Sequence, residues 1–464
     1  MWNAEYDVVV VGTGFAGLAA AIEARERGRS VVVLEKMRNP GGNSIISGGL
    51  VAAAGSDAQR LAGIEDSPDR MLADMLAAGQ HLNDPTLTRM VAEHSAEVFG
   101  WLRDHLHVEF RDGVNQLGGH AVPRTCATAK PAGIAIIRPM LERCRELEIE
   151  VRLRSQLRSL VQDAGGRVVG VEVQDEYHFP EAESGETIRI RANGGVVLAS
   201  GGFARDAGFR RIQDPRLDAY IDSTNHPGAT SEGLVAALVC GATPVHLSWI
   251  QLGPWASEDE KGWGVGSLFS ILAGFPYGIM VDAASGRRFV NELSDRKLRV
   301  DAMLQQDRHP VAIVDSGGVS RASTLEQCLK RGVVREYQTL EELARDNGIP
   351  TAALRETVSR YNASLEQGVD VEFGKPLLPD LAPLSNPPFY AIRLVPKVHH
   401  CMGGIQIDTE ARVLHLVTRA PIAGLYAAGE VTGGIHGASR LGSCAIPDCL
   451  VFGRLAGMSA ASGR

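Results

Sequence analysis

The stretch Tyr6–Glu35, YDVVVVGTGFAGLAAAIEARERGRSVVVLE, has the pattern of a strand, a tight turn, a helix and a second strand. A β-branched apolar run leads into G-x-G-x-x-G, formed by Gly12, Gly14 and Gly17. An Ala-rich helical segment follows, and a second apolar strand closes on the acid that ends the stretch. This order of elements predicts a Rossmann-like βαβ unit at the start of the chain.

The three glycines predict where a dinucleotide would lie. One turns the chain, one lets a pyrophosphate approach the backbone, and one lets the helix pack closely on the strand. The phosphates would then meet the helix N-terminus, where free N–H groups favour an anion. Glu35 stands where a ribose 2′-hydroxyl needs an acceptor, which disfavours NADP but leaves NAD and FAD open.

Size and charge narrow the class of protein. The chain has 464 residues, a net charge of −8 and a pI near 5.9. This length predicts two domains, and the charge provides no basic field for nucleic acid or an anionic membrane. No apolar run approaches the roughly 18 residues of a spanning helix, and the first strand leaves no room for a secretory signal. We therefore expect a cytoplasmic protein without nucleic-acid or membrane partners.

The cysteines predict no metal centre. There are seven, scattered along the chain, and none forms C-x-x-C or C-x-x-C-H. This pattern argues against a disulfide framework, a zinc site, an iron–sulfur cluster or an attached c-type haem. Any electron carrier beyond the bound dinucleotide must then come from outside the chain.

The composition shifts near residue 245 and again near residue 398. The segment between holds a Trp-rich stretch, a charged stretch and a Pro-rich loop. Before it, Gly194–Gly202 (GGVVLASGG) is an apolar strand ending in a Gly pair, a second place where a parallel sheet meets a cofactor. We predict one discontinuous domain over 1–244 and 399–464, with 245–398 inserted as a lid or cap.

Two runs near the C-terminus carry a longer pattern: His399–Gly404 (HHCMGG) and Gly424–Gly457 (GLYAAGEVTGGIHGASRLGSCAIPDCLVFGRLAG). They resemble the fumarate reductase/succinate dehydrogenase flavoprotein family, whose pattern has His-x-Met-Gly-Gly, A-A-G-E, G-G-x-H-G and R-L-G. The likeness continues in GGNSIISGG near 45, VVLASGGF near 200, NHPGAT near 228 and RRFVNELSDR at 287–296. It covers nearly the whole chain in the family's order, and its relatives include 3-ketosteroid dehydrogenase-like enzymes.

The resemblance implies an α/β fold, with a Rossmann-like FAD-binding domain and an inserted α+β capping domain. It also implies FAD as the cofactor. Relatives with covalently attached flavin use a His in the loop near residue 44, where this chain has Asn43 and Ser44, so we expect non-covalent FAD. The motifs predict these cofactor-binding residues: Gly12, Gly14, Phe15, Ala16, Gly17, Glu35, Lys36, Gly42, Asn43, Ser44, Gly48, Gly49, Ala199, Gly201, Gly429, Glu430, Ser443, Ala445 and Ile446.

Three residues are predicted to act on the substrate, and two tyrosines are fallback candidates. By resemblance Arg440 and His400 bind it, and a planar guanidinium suits a bidentate carboxylate clamp. Arg296 matches the family's proton-donating arginine. Because an arginine is a poor acid by its intrinsic pKa, a relay through a nearby carboxylate such as Glu292 or Asp295 is expected. Tyr277 is a fallback acid or base, and Tyr220 another.

One position departs from the family. The dicarboxylate enzymes have a histidine in a Gln-x-His-Pro motif, and here Gly253 takes its place in Gln251–Pro254 (QLGP). The change is expected to open space and to remove a donor, beside flat walls from Trp249 and Trp255. A monocarboxylate, a cyclic ketone or a keto acid then fits better than fumarate or succinate.

The predicted reaction transfers a hydride between the substrate β-carbon and flavin N5, with a proton transferred at the α-carbon. By analogy with the family's ketone dehydrogenases, we favour α,β-desaturation of a ketone or cyclic keto acid, with O2, a quinone or a redox protein as electron acceptor. Reduction of an unsaturated acid or enone by an external donor is the alternative. A non-catalytic FAD-binding subunit is a third possibility, and an amine oxidase is disfavoured by the C-terminal runs.

Overall fold

The computed structural model describes residues 1–130 and 132–463. The strands are β1 (Ala4–Val11), β2 (Val31–Glu35), β3 (Leu50–Ala52), β4 (Thr125–Ala127), β5 (Glu150–Leu153), β6 (Gln156–Gln162), β7 (Val168–Asp175), β8 (Glu186–Leu198), β9 (Pro244–Val245), β10 (Ile250–Gly253), β11 (Ile279–Val281), β12 (Val311–Asp315), β13 (Val334–Tyr337), β14 (Phe389–Arg393), β15 (Lys397–Cys401), β16 (Gly404–Ile405), β17 (Arg412–Leu414) and β18 (Pro421–Ala427).

The helices are α1 (Phe15–Glu26), α2 (Gly42–Ile46), α3 (Asp57–Leu61), α4 (Pro68–Ala78), α5 (Pro85–Gly100), α6 (Ile134–Glu146), α7 (Ala207–Gln213), α8 (Glu232–Val239), α9 (Gly266–Phe269), α10 (Phe275–Tyr277), α11 (Arg296–Leu304), α12 (Ser316–Val319), α13 (Leu325–Lys330), α14 (Leu340–Asn347), α15 (Thr351–Gln367) and α16 (Ala445–Ser462). Short π-helical segments lie at Trp101–His105 and Ser270–Gly274.

The largest sheet is built around β1. Its core is parallel, in the order β18, β8, β1, β2 and β5, while β17 and the β6–β7 pair extend it antiparallel. The four valines of Val8–Val11 are buried on both faces of this sheet. That is the burial expected of a parallel strand covered by helices on either side. The α/β fold class predicted from the sequence is confirmed.

Helices α1 and α16 cover one face of this sheet and lie unusually close together. A Cβ added at Gly453 would come within 2.5 Å of the Ala16 carbonyl oxygen, and one at Gly457 within 2.3 Å of the Ala20 carbonyl oxygen. Because Gly453 and Gly457 have no Cβ, the backbones of α1 and α16 come into direct contact. This contact sets where the N-terminus of α16 points.

A second sheet lies within the predicted cap. It is antiparallel in the order β11, β12, β14, β13, and it has its own apolar clusters, one around Trp255 and Phe269 and another around Tyr361. Strands β10 and β15 pair antiparallel at the junction with the remainder of the chain. The division into a domain over 1–244 and 399–464 and a cap over 245–398 stays a prediction.

Within the described residues, no helix has both the length and the apolarity needed to cross a membrane.

The α1–α16 contact can be tested by adding volume to it. Gly457→Val is expected to destabilise the fold by about 1–3 kcal/mol, because its side chain meets backbone that must move as a unit. Ser459→Val places the same side chain two residues away, where the helix is half-buried. Denaturant unfolding with saturating FAD measures both variants, and equal losses would contradict a special role for the glycine.

Candidate active site

Two adjoining cavities lie at the carboxyl ends of the parallel strands. They share a wall formed by Phe15, Asn43, Ser44, Glu430 and Cys449. The first, which we call the dinucleotide cavity, opens around the β1–α1 turn and is lined only by residues outside the predicted cap. The second, the reaction cavity, has residues of the predicted cap in its wall.

Most of the predicted cofactor-binding residues line one or both cavities. Those in the dinucleotide cavity are Gly12, Gly14, Phe15, Ala16, Glu35, Lys36, Gly42, Asn43, Ser44, Ala199, Gly201, Gly429 and Glu430. Those in the reaction cavity are Phe15, Asn43, Ser44, Gly48, Gly49, Glu430, Ser443, Ala445 and Ile446. Gly17 lines neither. Its added Cβ would come within 2.0 Å of the Gly12 carbonyl oxygen, so this glycine allows the helix to pack on the turn.

The dinucleotide cavity has the polar atoms that FAD requires. Glu35, at the end of β2, accepts hydrogen bonds from the Thr13 hydroxyl and from the Met37 N–H at 2.9 Å. The buried side-chain oxygens Gln156 Oε1 and Ser200 Oγ have no hydrogen-bond partner among the residues that the structure describes, and both residues line this cavity. Buried polar atoms are normally paired, so these two are ready to bind a ligand. The residues present therefore fit a dinucleotide.

Asn43 stands in α2, near the position where relatives with covalently attached flavin have a His, and hydrogen bonds hold its side chain. The amide of Asn43 donates to Asn225 Oδ1, and its oxygen accepts from the His226 N–H at 2.7 Å. Asn43 is thus locked between the turn after β2 and the loop before α8. Non-covalent attachment of the flavin stays a prediction.

Helix α16 begins at the wall of the reaction cavity. Ala445 and Ile446, its first two residues, line that cavity, and Ser443 just before them adopts a left-handed conformation with φ of 56°. The free N–H groups of a helix N-terminus stabilise negative charge placed there. This geometry suits the pyrimidine edge of a flavin, where negative charge accumulates on reduction.

Arg440 and His399 form one side of the reaction cavity. Arg440 Nη2 donates to His399 Nε2 at 3.2 Å, and His399 Nδ1 lies 2.7 Å from the Thr224 hydroxyl. Because a guanidinium only donates, Nε2 must be the unprotonated nitrogen and Nδ1 carries the proton. Burial beside Arg296 and Arg440 also holds the pKa of His399 well below its usual range. The imidazole is therefore neutral, and Arg440 Nε is left without a partner.

His400 points the opposite way from His399, because successive side chains of a strand alternate. Its ring lies 5.7 Å from the ring of His436, and its Nδ1 is 3.5 Å from Glu430 Oε1. Burial beside Arg440 lowers the pKa of His400 well below its usual range, and burial raises the pKa of Glu430 to about 7. His400 is therefore neutral and lies beside Glu430 on the wall that the two cavities share. Both His399 and His400 line the reaction cavity, so the assignment of His400 as the substrate-binding histidine stays a prediction.

Arg296 is the first residue of α11 and lines the reaction cavity. Its Nη1 donates to Gln251 Oε1 at 3.0 Å, and its guanidinium lies 4.5 Å from the centre of the Trp255 ring. Gln251 Nε2 in turn donates to the Arg440 carbonyl oxygen at 3.1 Å, so one amide links the two arginines. Desolvation and the charges of Arg440 and Arg299 hold the pKa of Arg296 well below its usual range.

The carboxylates proposed as a relay to Arg296 are engaged elsewhere. Glu292 binds Arg288 through both oxygens, at 2.8 Å, inside the predicted cap. Asp295 accepts from the Leu298 N–H at 3.1 Å and caps α11. Among the residues described, neither contacts the Arg296 side chain.

The fallback tyrosines lie outside the reaction cavity. Tyr277 donates to the Asp380 carboxylate at 3.2 Å and is absent from the cavity wall, although its neighbours Phe275 and Pro276 line it. Tyr220 is fully on the surface, with 93% of its side chain exposed. Both predictions relied on residue type alone, and the strand and helix geometry directs these phenols away from the reacting groups.

Gly253 does not leave the open space that its small size predicted. An added Cβ there would meet Trp255 Cζ2 at 2.8 Å, so the indole covers the position. Trp255 and Trp263 both line the reaction cavity and pack around His399, with ring centres 4.8 Å and 5.6 Å from the imidazole. Trp249 is not part of the wall. The sequence did not identify His399 and Trp263 as wall residues, nor Gln251 as the amide that links Arg296 to Arg440.

Within residues 1–130 and 132–463, no group of three or more His, Cys, Asp or Glu side chains is placed to hold a metal ion.

The parallel sheet, the glycine turn and the adjoining cavities define an FAD-dependent oxidoreductase. Residues 7–446 match the model of the FAD binding domain family, so the chain belongs to that family, among the fumarate reductase/succinate dehydrogenase flavoproteins. FAD as the cofactor and the predicted family are both confirmed. Its membership of the family and the relatives named below show that the chain is an oxidoreductase acting on CH–CH bonds.

The relatives are reductases of unsaturated acids. The chain is 44% identical to the acrylate reductase flavoprotein subunit of Shewanella woodyi, over 98% of this chain and 91% of that one. It is 35% identical to a cytochrome-type fumarate reductase of Shewanella frigidimarina (98% and 77%) and 34% identical to a urocanate reductase of Eggerthella lenta (99% and 75%).

Solved structures agree with the fold. An open-conformation flavocytochrome c3 fumarate reductase superposes with a TM-score of 0.79 at 33% identity, covering 100% of this chain and 79% of that one. The 3-ketosteroid-Δ4-(5α)-dehydrogenase of Rhodococcus jostii superposes with a TM-score of 0.76 at 26% identity, covering 99% and 98%.

The Glu430 carboxyl makes the flavin-free protein sensitive to pH. Its folded pKa of about 7 lies above the ordinary value of 4.5, so its contribution to stability is complete below 4.5 and is lost as the pH rises through 7. Glu430→Gln, which cannot titrate, should show a flatter profile between about pH 5 and pH 8. Denaturant midpoints of both apoproteins measure this, and parallel profiles would contradict it.

Proposed function

We propose that this protein reduces the C=C bond of an α,β-unsaturated monocarboxylate that carries an apolar group on its β-carbon. This reverses the direction that the sequence favoured, where ketone desaturation was preferred. The names of the relatives support reduction, since acrylate, fumarate and urocanate are all unsaturated acids. Electrons would reach the flavin from an external donor, such as a quinol or a redox protein.

The observation that carries the monocarboxylate proposal is the packing of Trp255 over Gly253. Arg440 and His399 are available to hold one carboxylate. Where relatives acting on dicarboxylates place a second histidine, the indole of Trp255 occupies the space. A second carboxylate at that position would meet a bulky ring in place of the histidine, which disfavours a dicarboxylate.

Each nearby side chain then has a role. Arg440 binds the carboxylate through its fork of donors and so withdraws electrons from the double bond. His399, with its Nδ1 proton tied to Thr224, orients Arg440 and adds a polar contact. Gln251 fixes Arg296 over Trp255, from where the arginine delivers the proton to the α-carbon. The lowered pKa of Arg296 makes that guanidinium a better acid than an ordinary one.

When bound, reduced FAD supplies the hydride that the β-carbon receives. The substrate thus gains one hydride and one proton, and the flavin loses two electrons that the external donor replaces. The predicted cap would exclude water from the cavity during this exchange, and Leu268, Ile271 and Phe275 supply its apolar lining.

Ketone desaturation is kept as the second candidate because of two observations. The walls toward the predicted cap are largely apolar, and a 3-ketosteroid dehydrogenase superposes over nearly the whole of both chains. A saturated cyclic ketone that bleaches oxidised flavin would favour this candidate.

Anaerobic half-reactions test the proposal. The bound flavin is reduced, then mixed with acrylate, cinnamate, crotonate or fumarate, and its reoxidation is followed by absorbance. The monocarboxylates should reoxidise it, and fumarate should be roughly tenfold slower or more, because its second carboxylate lacks a partner. Acid precipitation of the same preparation should release all of the flavin if attachment is non-covalent.

Two controls define the outcome. Arg440→Lys should retain part of the activity that Arg440→Met loses, because a point charge replaces the bidentate fork. Fumarate that reacts as fast as the best monocarboxylate would overturn the proposal, as would a flavin that no enoate reoxidises.

Substitutions of His399 and of His400 should have different effects on KM and on the rate of flavin reoxidation. His399→Gln is expected to raise KM and slow reoxidation by roughly 10- to 100-fold, because it disturbs the carboxylate clamp. His400→Gln should change the flavin spectrum and FAD occupancy, with a much smaller effect on KM. Stopped-flow reoxidation and flavin-to-protein ratios measure both, and the reverse pattern would identify His400 as the substrate-binding residue.

A further inference from the structure

Arg299 is a third arginine on the reaction cavity, and the proposed reaction does not use it. It lies one turn beyond Arg296 on α11, so both side chains project from the same face of the helix. Only 6% of the residue is exposed. Arg299 belongs to none of the motifs that predicted the site, because it follows the RRFVNELSDR run.

The guanidinium of Arg299 makes no hydrogen bond or ion pair with the residues described. Its Nε is buried without a hydrogen bond, and the charges of Asp295 and Glu292 act on the guanidinium only from a distance. The ring of Phe275 lies against it, with its centre 4.9 Å from the guanidinium carbon. A buried cation without a hydrogen-bonded partner is costly, so we expect such a group to be retained where a ligand completes it.

The contacts of the three arginines differ along the cavity. Gln251 links Arg296 to the Arg440 carbonyl oxygen, whereas Arg299 lies one helical turn further along α11, against Phe275. We therefore place Arg299 toward the end of the cavity away from Arg440. At this end the wall is apolar, with Ile271, Phe275 and Pro276.

We propose that Arg299 is a specificity-determining residue that donates hydrogen bonds to an oxygen at the far end of the substrate, opposite the carboxylate held by Arg440. This rests on the proposed function, which places that carboxylate. A flat apolar spacer must separate the two oxygens, because the wall between them consists of indole and phenyl rings. The substrate class that meets both demands is an aryl-substituted acrylate with a phenolic or carboxylate oxygen on its ring.

The chemistry explains why a guanidinium suits this position. A cavity wall that ended in phenyl and aliphatic groups would accept any apolar end group equally. A buried donor makes an end group without an acceptor unfavourable, since the donor then stays unpaired. The unpaired donor of Arg299 therefore favours substrates whose far end carries an acceptor over those whose far end is apolar.

Binding of non-reacting ligands tests the assignment. The holoprotein is titrated with phenylpropanoate and with its methyl, hydroxyl and carboxylate derivatives, substituted at the para or meta carbon, and Kd is read from the flavin absorbance. The wild type should bind the best oxygen-bearing ligand roughly 10- to 100-fold more tightly than the methyl ligand of the same shape. Arg299→Met should abolish that ratio while leaving the methyl ligand bound as tightly or more tightly.

Two further variants keep the result interpretable. Arg299→Lys retains a cation and should keep part of the preference. Arg216→Met removes an arginine that pairs with Asp214 on the surface and should keep all of it. Flavin content and melting temperature should match the wild type for each protein compared.

The opposing outcomes are distinct. A wild type that binds the methyl and oxygen-bearing ligands equally overturns the assignment, as does an Arg299→Met variant that weakens every ligand by the same factor. Because these saturated acids are not reduced, the result does not depend on turnover. If the preference is present but no enoate reoxidises the flavin, Arg299 keeps its role in binding and only the proposed reaction fails.

Discussion

Burial of three guanidinium groups on one cavity governs the chemistry of this site. Arg440, Arg296 and Arg299 all line its wall, and desolvation lowers the pKa of each. Desolvation, together with the charges of Arg296 and Arg440, also lowers the pKa of His399 and His400, so both imidazoles are neutral and Nε2 of His399 accepts from Arg440. A cavity with this surplus of donors is completed by an anion, and an unsaturated carboxylate provides one whose double bond the same cations activate.

The arrangement depends on packing far from the arginines. The glycines of α16 let it lie against α1, and the N-terminus of α16 therefore opens beside Ser443 and the loop that carries Arg440. Arg296 and Arg299 come from a different part of the chain, at the start of α11. Gln251 joins the two parts, since its amide binds Arg296 on one side and the Arg440 carbonyl on the other. The buried side-chain amide of Gln251 thus fixes the position of the predicted cap relative to the C-terminal loop.

Local patterns in the sequence were sufficient for the fold class and the cofactor. The glycine turn, the apolar strands and the acid at Glu35 act within about thirty residues, and their geometry is almost independent of the rest of the protein. The same reasoning was weaker for the histidines. A motif identifies a pair of adjacent residues, but which of the two faces the substrate depends on the direction of the strand and on what packs against each face. Trp255 shows the same limit, because an indole two residues along the chain occupies the space beside Gly253.

By itself, the sequence determined an α/β flavoprotein of a known family that uses FAD. It also predicted a cofactor site at the β1–α1 turn and arginines that bind an anionic or carbonyl substrate. These conclusions follow from short segments whose backbone conformation and residue types carry the information. The tertiary structure decided which histidine meets Arg440, that the expected relay carboxylates are engaged elsewhere, and that Arg299 is buried on the reaction cavity without a hydrogen-bonded partner among the described residues. Those facts depend on the directions in which side chains leave their helices and strands and on what packs against them, which only the folded chain fixes.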